Sequence, residues 1–231
     1  MPVGILCAGD EELAPFLPLI ENCKTAEKAM LTFYEGQIRG AEAVALFSGV
    51  CKVNAAIAAQ LLIAAFGVTA ILNPGTAGGM DPALKRFDTV ISTESCYHDV
   101  AADILTEFHP WMPSVFFPAG RDLLRRAGAA VSRTNPAGRV FWGRMATGEA
   151  FITDRDRRRI NDEFSPLTVD METAAIAHVC YVNRVPFLSI RCVTDTAAHS
   201  GAGQFEENCA RASRIAADIT LSLLDELSGQ Q

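Results

Sequence analysis

The sequence has no Cys-x-x-Cys pair, only four histidines and no long apolar run, and each shortage closes off a class of function. Its seven cysteines (Cys7, Cys23, Cys51, Cys96, Cys180, Cys192 and Cys209) are odd in number and scattered, several inside apolar segments where a reduced, buried thiol is the default. That usage points to the cytoplasm and away from a zinc site. With so few histidines and no close His/Cys/Asp spacing, no catalytic metal is expected. No run approaches the ~20 apolar residues of a membrane span. The apolar start, Val3 to Ala8, is too short for a secretory signal, lacks a basic flank and runs at once into three acids. There is no Gly-x-Gly-x-x-Gly and no phosphate loop with Lys-Ser/Thr, so dinucleotide or nucleoside triphosphate binding has little support. A Gly-x-Ser-x-Gly elbow for a Ser–His–Asp hydrolase is also missing. Positive charge is scarce: 20 Lys and Arg against 27 Asp and Glu leave a net charge of −7, which argues against a nucleic-acid footprint. The one basic run, Arg155-Asp156-Arg157-Arg158-Arg159, reads as a solvated helix face because acids lie close by.

What is present is the material for a core. With 231 residues, 49% hydrophobic and 20% charged, the chain suffices for one large α/β domain, here taken as residues 1–231. Short apolar runs bounded by Gly, Pro or acids read as strands at Val3–Cys7, Ala43–Phe47, Ala70–Leu72, Thr89–Ser92, Val140–Thr147, Leu167–Val169 and Phe187–Val193. Helical spacing reads at Glu11–Cys23, Val53–Phe66, Arg121–Ser132, Asp154–Glu163, Met171–Asn183 and Glu206–Leu227. The alternation predicts a single-domain α/β fold, a mixed, largely parallel twisted sheet with helices on both faces. The segment Tyr97 to Gly120, rich in Pro and aromatics (Pro110, Trp111, Pro113, Phe116, Phe117, Pro118), is irregular; a lid, a subunit contact and an internal mini-core all fit it.

Three stretches place acids at strand ends: Ala8-Gly9-Asp10-Glu11-Glu12, Val169-Asp170-Met171-Glu172 and Arg191-Cys192-Val193-Thr194-Asp195. Side chains at the ends of strands in an open α/β sheet converge on the crevice where ligands bind. Each acid has a plainer explanation, at a helix N-terminus for the first two sets and in a turn or cap for Asp195. Their coincidence with the small-residue turn Gly75-Thr76-Ala77-Gly78-Gly79, where a backbone can approach a ligand closely, makes those explanations less adequate together than singly.

In order along nearly the whole chain, Val3–Leu13, Ser48–Ala56, Leu72–Met80, Gly148–Thr153, Val169–Val179 and Pro186–Asp195 resemble the 5′-methylthioadenosine/S-adenosylhomocysteine nucleosidases of the purine nucleoside phosphorylase superfamily. The run Met171-Glu172-Thr173-Ala174-Ala175-Ile176-Ala177 and the pair Thr194-Asp195 carry the resemblance most specifically. It implies Asp195 as the acid that protonates adenine N7, Glu172 as the carboxylate on the ribose hydroxyls and Glu12 as the base that activates water. It further implies Phe151 as the adenine-stacking ring, Ile152 as the residue whose backbone reads the purine edge, and Met171 as a ribose contact. Thr76 and Arg191 would lie near the water and the acids, with Ala77, Gly78, Val169, Asp170 and Thr194 completing the binding surface. No cofactor is implied, the partner is a small purine nucleoside, and the family's homodimers suggest a homodimer here. Cleaving an N-glycosidic bond passes through an oxocarbenium-like state, so an acid for the leaving base and a carboxylate for the cation suit it without a metal. The acid should have a raised pKa, with Arg191 as the group that could oppose the rise.

Water is favoured over phosphate as nucleophile. Phosphate needs forked cationic donors, whereas the first loop offers Asp10, Glu11 and Glu12 and the strand before Gly75 ends in Asn73-Pro74. Departures from the family are Gly9 for a larger apolar residue, Pro74 for Thr, Thr76 for Ser and Asp170 for Glu; they bear on substrate preference more than on reaction type. His98-Asp99 fits the substrate rim, a dimer contact or a plain loop, and His178 a core or interface position. The rival readings are hydrolysis or phosphorolysis of another purine nucleoside, aminodeoxyfutalosine included, and a nucleoside-binding protein without turnover.

Overall fold

Apolar residues of strand β1 (Val3–Cys7) split by parity: Val3, Ile5 and Cys7 enter one core and Leu6 another. A strand buried on both faces reads as a continuous apolar run, as this one does. The computed structural model describes residues 1–108, 112–152, 154–197 and 202–229, with Asp154 and Ala202 described in backbone only. Pro110, Trp111 and Thr153, named above, lie outside the described residues.

β1 pairs in parallel with β4 (Ala41–Phe47) and β5 (Ala70–Gly79), and β5 pairs in parallel with β10 (Phe187–Asp195). From β5 the sheet turns through β9 (Thr168–Asp170), β8 (Val140–Thr147) and β6 (Thr89–Tyr97) back to β10, so these five strands close a ring. Beyond β4 it continues antiparallel through β3 (Leu31–Ile38) to β2 (Glu21–Lys28), and the short β7 (Phe117–Pro118) pairs with β6. One face carries α1 (Asp10–Leu13), α4 (Arg121–Thr134) and α7 (Ala202–Ser228); the other carries α2 (Lys52–Phe66) and α6 (Thr173–Asn183). The expected mixed α/β sheet with helices on both faces is therefore present. Helices α3 (Ala102–Glu107) and α5 (Asp154–Phe164) complete the set among the described residues.

The helix expected over Glu11–Cys23 is not formed. It stops at Leu13, gives way to a single 3₁₀ turn at Leu17–Leu19, and the chain enters β2 at Glu21. Pro15 and Pro18 lack the N–H that a continuing helix would need. Strands β2 and β3 were not expected. β2 is an edge strand with nearly every residue exposed, so it carries no apolar alternation. The turn between them is two residues long, Ala29 and Met30, with φ of 49° and 64°, a conformation usually marked by Asn-Gly. The Gly75–Gly79 segment is strand rather than turn: Arg191 pairs with Gly75 and Val193 with Ala77.

Within 97–120, Met112 and Phe117 are buried, and the Phe117 ring stacks on His178 at 4.8 Å and meets Tyr97 edge-on at 5.8 Å. Tyr97, Met112 and Phe117 thus form an internal mini-core with His178, whose Nδ1 lies 3.3 Å from the Tyr97 hydroxyl, while Ile104 and Phe108 of the same segment stay exposed. In the basic run, Arg155, Arg158 and Arg159 are exposed as expected, but Arg157 turns inward and donates to the Gly79 carbonyl at 2.7 Å.

Candidate active site

The C-terminal ends of β5, β9 and β10 and the start of α1 border one cavity of about 570 Å³, within the range of small-molecule sites. Of the residues singled out from the sequence, Glu12, Thr76, Ala77, Gly78, Phe151, Ile152, Val169, Asp170, Met171, Glu172, Thr194 and Asp195 line it. Arg191 does not; it is fully buried behind the carboxylates.

Glu12 is placed by the turn out of β1. Its Oε2 accepts the Ala8 amide at 2.8 Å and the Gly9 amide at 3.4 Å, which satisfies donors at the head of α1. Oε1 reaches across to β5, where it accepts both the amide (2.8 Å) and hydroxyl (2.9 Å) of Thr76. Asp10 and Glu11, by contrast, are exposed at the rim. The helix-terminus explanation therefore suits Asp10 and Glu11, while Glu12 is a buried, oriented carboxylate.

Glu172 precedes the first residue of α6 and is also buried. Its Oε1 accepts the Cys51 amide at 2.9 Å. Cys51 supplies that amide from a backbone at φ 83°, ψ 162°, a region normally left to glycine. Burial is the largest cause lifting the Glu172 pKa to about 7; Asp170 and Glu12 push the same way, against Arg191 and the Cys51 amide. Arg191 faces three carboxylates, with Nε 3.4 Å from Asp170, Nη1 3.6 Å from Glu12 and Nη2 3.7 Å from Glu172. It also donates to Asn73 Oδ1 at 2.9 Å and to the Thr76 carbonyl at 3.2 Å.

Asp195, at the end of β10, stands apart from that network. Its carboxyl pKa is raised, chiefly by burial; the Thr194 hydroxyl, 2.9 Å from Oδ1, and the charge of Arg157 pull it back. The expected opponent, Arg191, is thus replaced by Arg157; Arg191 is engaged with Glu12, Asp170 and Glu172 instead. Arg157 is the only arginine lining the cavity among the described residues, and it belongs to the Asp195 end. Among the described residues, no forked cation lies open beside Glu12.

Sequence reading missed Val50, Ala150, Arg157, Phe205, Glu206 and Cys209 in the cavity wall. Phe151, 58% exposed, meets Phe205 of α7 edge-on at 6.1 Å, so two aromatic rings flank the entrance. Cys209 had no signal beyond lying on the final amphipathic helix, and Phe205 falls just ahead of the Glu206–Leu227 span expected for it. His98-Asp99 is not in the wall: His98 is buried, and Asp99 accepts the Lys52 ammonium at 2.9 Å and the Glu149 amide at 3.1 Å.

The chain is similar to known proteins over nearly its whole length. The model of the phosphorylase superfamily matches residues 2–225. A 5′-methylthioadenosine/S-adenosylhomocysteine nucleosidase of Halalkalibacterium halodurans is 37% identical over 97% of this chain and 98% of its own length. The Colwellia psychrerythraea nucleosidase, solved in complex with adenine, superposes with a TM-score of 0.90 at 33% identity, covering 98% of this chain and 96% of that one. A futalosine hydrolase of Helicobacter pylori superposes with a TM-score of 0.88 at 26% identity, covering 98% of each chain. The chain belongs to the phosphorylase superfamily and, within it, to the 5′-methylthioadenosine/S-adenosylhomocysteine nucleosidases, a family of N-glycosyl-hydrolysing enzymes.

Proposed function

We propose that this protein, acting as a single domain, hydrolyses the N-glycosidic bond of 5′-methylthioadenosine and S-adenosylhomocysteine to adenine and the free thioribose. The observation that carries the reading is the placement of Glu12, Glu172 and Asp195 on one cavity, two of them tied to a buried arginine and the third away from it. Asp195, whose carboxyl pKa is raised by burial, donates its proton to purine N7 so that the base leaves neutral. Glu172 faces the ribose hydroxyls and the positive charge that develops on the sugar. Glu12, fixed by Thr76 and the Ala8 amide, orients and deprotonates the water that attacks C1′. Phe151, Ile152, Val169, Ala77, Gly78 and Thr194 wall the purine side, Met171 packs on the sugar, and Arg191 acts from behind the acids. The exposed rim acids Asp10, Glu11 and Glu206 repel inorganic phosphate, which supports water as the nucleophile. They also disfavour a 5′ substituent of net negative charge, so the thio-substituted adenosines fit better than a futalosine-type substrate.

The test is adenine release from 5′-methylthioadenosine, followed by chromatography with and without phosphate. Release in phosphate-free buffer with free methylthioribose as co-product is expected. Release that depends on phosphate would overturn the hydrolytic reading, and tight adenine binding with no product over hours would favour a binding protein.

A homodimer is part of the same proposal. Val50, Val53, Ile57, Ile104 and Phe108 are exposed apolar side chains around the start of α2 and along α3, more than a lone subunit gains from showing to water. Light scattering at micromolar concentration should give twice the 24.8 kDa chain mass; a monomer would refute this part. A cytoplasmic setting is supported by seven free cysteines, and recovery of the protein from another compartment on fractionation would contradict it.

A further inference from the structure

Asp170 borders the cavity, yet neither of its oxygens is left for a ligand. Oδ1 accepts the Thr147 hydroxyl at 2.7 Å, the Thr173 amide at 3.0 Å and the Glu172 amide at 3.2 Å. Oδ2 takes the Thr173 hydroxyl in a close contact and lies 3.4 Å from Arg191 Nε. A carboxylate offers about four lone-pair sites, and these contacts occupy them. The side chain is 3% exposed. Its backbone is pinned as well, since β9 pairs with β8 at Asp170 and with β5 at the preceding residue.

Most of those contacts lead to the turn that carries Glu172; the Thr147 hydroxyl ties Asp170 to β8 and accepts the Ala174 amide of α6. Two are amides at the turn into α6, one of them Glu172's own, so the Asp170 carboxylate caps that helix and fixes where the Glu172 side chain leaves the backbone. The Arg191 contact sets the two acids against each other, because Asp170 meets Nε and Glu172 meets Nη2 of the same guanidinium. Thr173, Asn73 and Ser189 lock the arginine from behind, with Thr173 Oγ1 3.2 Å from both Arg191 Nη2 and Ser189 Oγ. The guanidinium cannot swing to serve one carboxylate without losing others.

We propose that Asp170 is a positioning residue that holds Glu172 in register with the cavity and competes with it for Arg191, and that it is not a ligand for the nucleoside. The proposal rests on the reading of Glu172 as the ribose-facing carboxylate. The titratable and charged groups that face Glu172 are Asp170 on β9, Arg191 on β10, Glu12 on α1 and Cys51 ahead of α2; Glu149 and Lys52 act on the Cys51 thiol in turn. Of these, Asp170 ranks ahead of Glu12 among the carboxylates that raise Glu172.

Asp170→Asn keeps the size and one of the two acceptor oxygens but removes the charge. Without that like charge, the pull of the locked Arg191 on Glu172 is less opposed, and the carboxylate ionises at lower pH. Glu172 must be ionised to stabilise the ribosyl cation, so the acid limb of kcat/KM should move down by about one pH unit. The disturbed cap should cost about tenfold in kcat with KM changed less than threefold, the pattern of an interaction used only in the transition state. A direct readout that needs no turnover is the ¹³C titration of Glu172 in glutamate-labelled protein, assigned with Glu172→Gln; its midpoint should fall in the variant. Asp170→Glu, which restores the charge, should return the midpoint and limb towards wild type. If the asparagine variant fails to fold, Asp170→Ser, which also removes the charge, should show the same fall. An unmoved Glu172 midpoint in the uncharged variant overturns the proposal whatever the activity. A raised KM with unchanged kcat does so too, since it would make Asp170 a substrate ligand. A falling midpoint in a protein that releases no adenine would instead leave the positioning intact and reject the nucleosidase reading.

Discussion

Replacing Asp195 with asparagine should lower kcat for adenine release by about 10²- to 10⁴-fold, the range for loss of a positioned general acid. The sign of the pH effect follows from the side chain's surroundings. Burial raises the Asp195 pKa, so the working, protonated form persists above the usual carboxylate range and the rate falls as pH climbs through the raised value. Asparagine cannot ionise, so the variant should lose that limb. KM should change little, because the amide keeps the shape of the wall and the Thr194 hydroxyl contact at Oδ1. A pH–rate profile identical to wild type would sink the assignment of Asp195 as the acid.

Gly75→Ala should be nearly as damaging, through a residue that never meets the substrate. A Cβ built there falls 2.5 Å from Glu12 Oε1, 2.5 Å from Arg191 Nη1 and 2.7 Å from Glu12 Cδ. Neither neighbour is a loose tip: Glu12 is held by four hydrogen bonds from Ala8, Gly9 and Thr76, and Arg191 is fully buried. One methyl group therefore forces Glu12 off Thr76 or parts β5 from β10. Overpacking of this kind costs about 1–3 kcal/mol, and a displacement near 1 Å at a reacting group can cost ~10²-fold in rate. Thermal unfolding and kcat/KM should fall together. If both stay at wild-type values, the close packing of Glu12 against β5 is wrong.

Much of the frame was legible before any coordinates. β1, β4 and the first half of β10 announce themselves because strands covered on both sides are largely apolar, and α2 and α6 because they sit between such strands. β2 and β3 were not, since an edge hairpin with a solvated outer strand and a turn made of Ala29 and Met30 offers neither alternation nor turn residues. The acids of the site were legible as acids at strand ends. Their relations to one another were not. Arg191 lies four residues from Asp195 in sequence yet serves Glu12, Asp170 and Glu172, and the cation that acts on Asp195 comes from Arg157, in a run that reads as surface. Phe205 and the Cys51 amide reach the site from distant segments, and only the closing of the sheet brings them there. Gly75-Thr76-Ala77-Gly78-Gly79 suggested a loop by composition, whereas β10 holds it as strand, because small residues there make room for Glu12 and Arg191.

That closure of β5, β10, β6, β8 and β9 divides the labour within the site. The chain segments bearing Thr76, Asp170 and Asp195 are fastened by hydrogen-bond ladders, while Ala150, Phe151 and Ile152 lie in a connection and Phe205 and Cys209 on the terminal helix. The rigid part sets how far apart the reacting groups stand; the looser part decides what is admitted. An engineer seeking a different nucleoside could therefore rewrite residues 150–152 and the inner face of α7 while leaving the ladder-bound spacing, and with it the bond-breaking machinery, as it is.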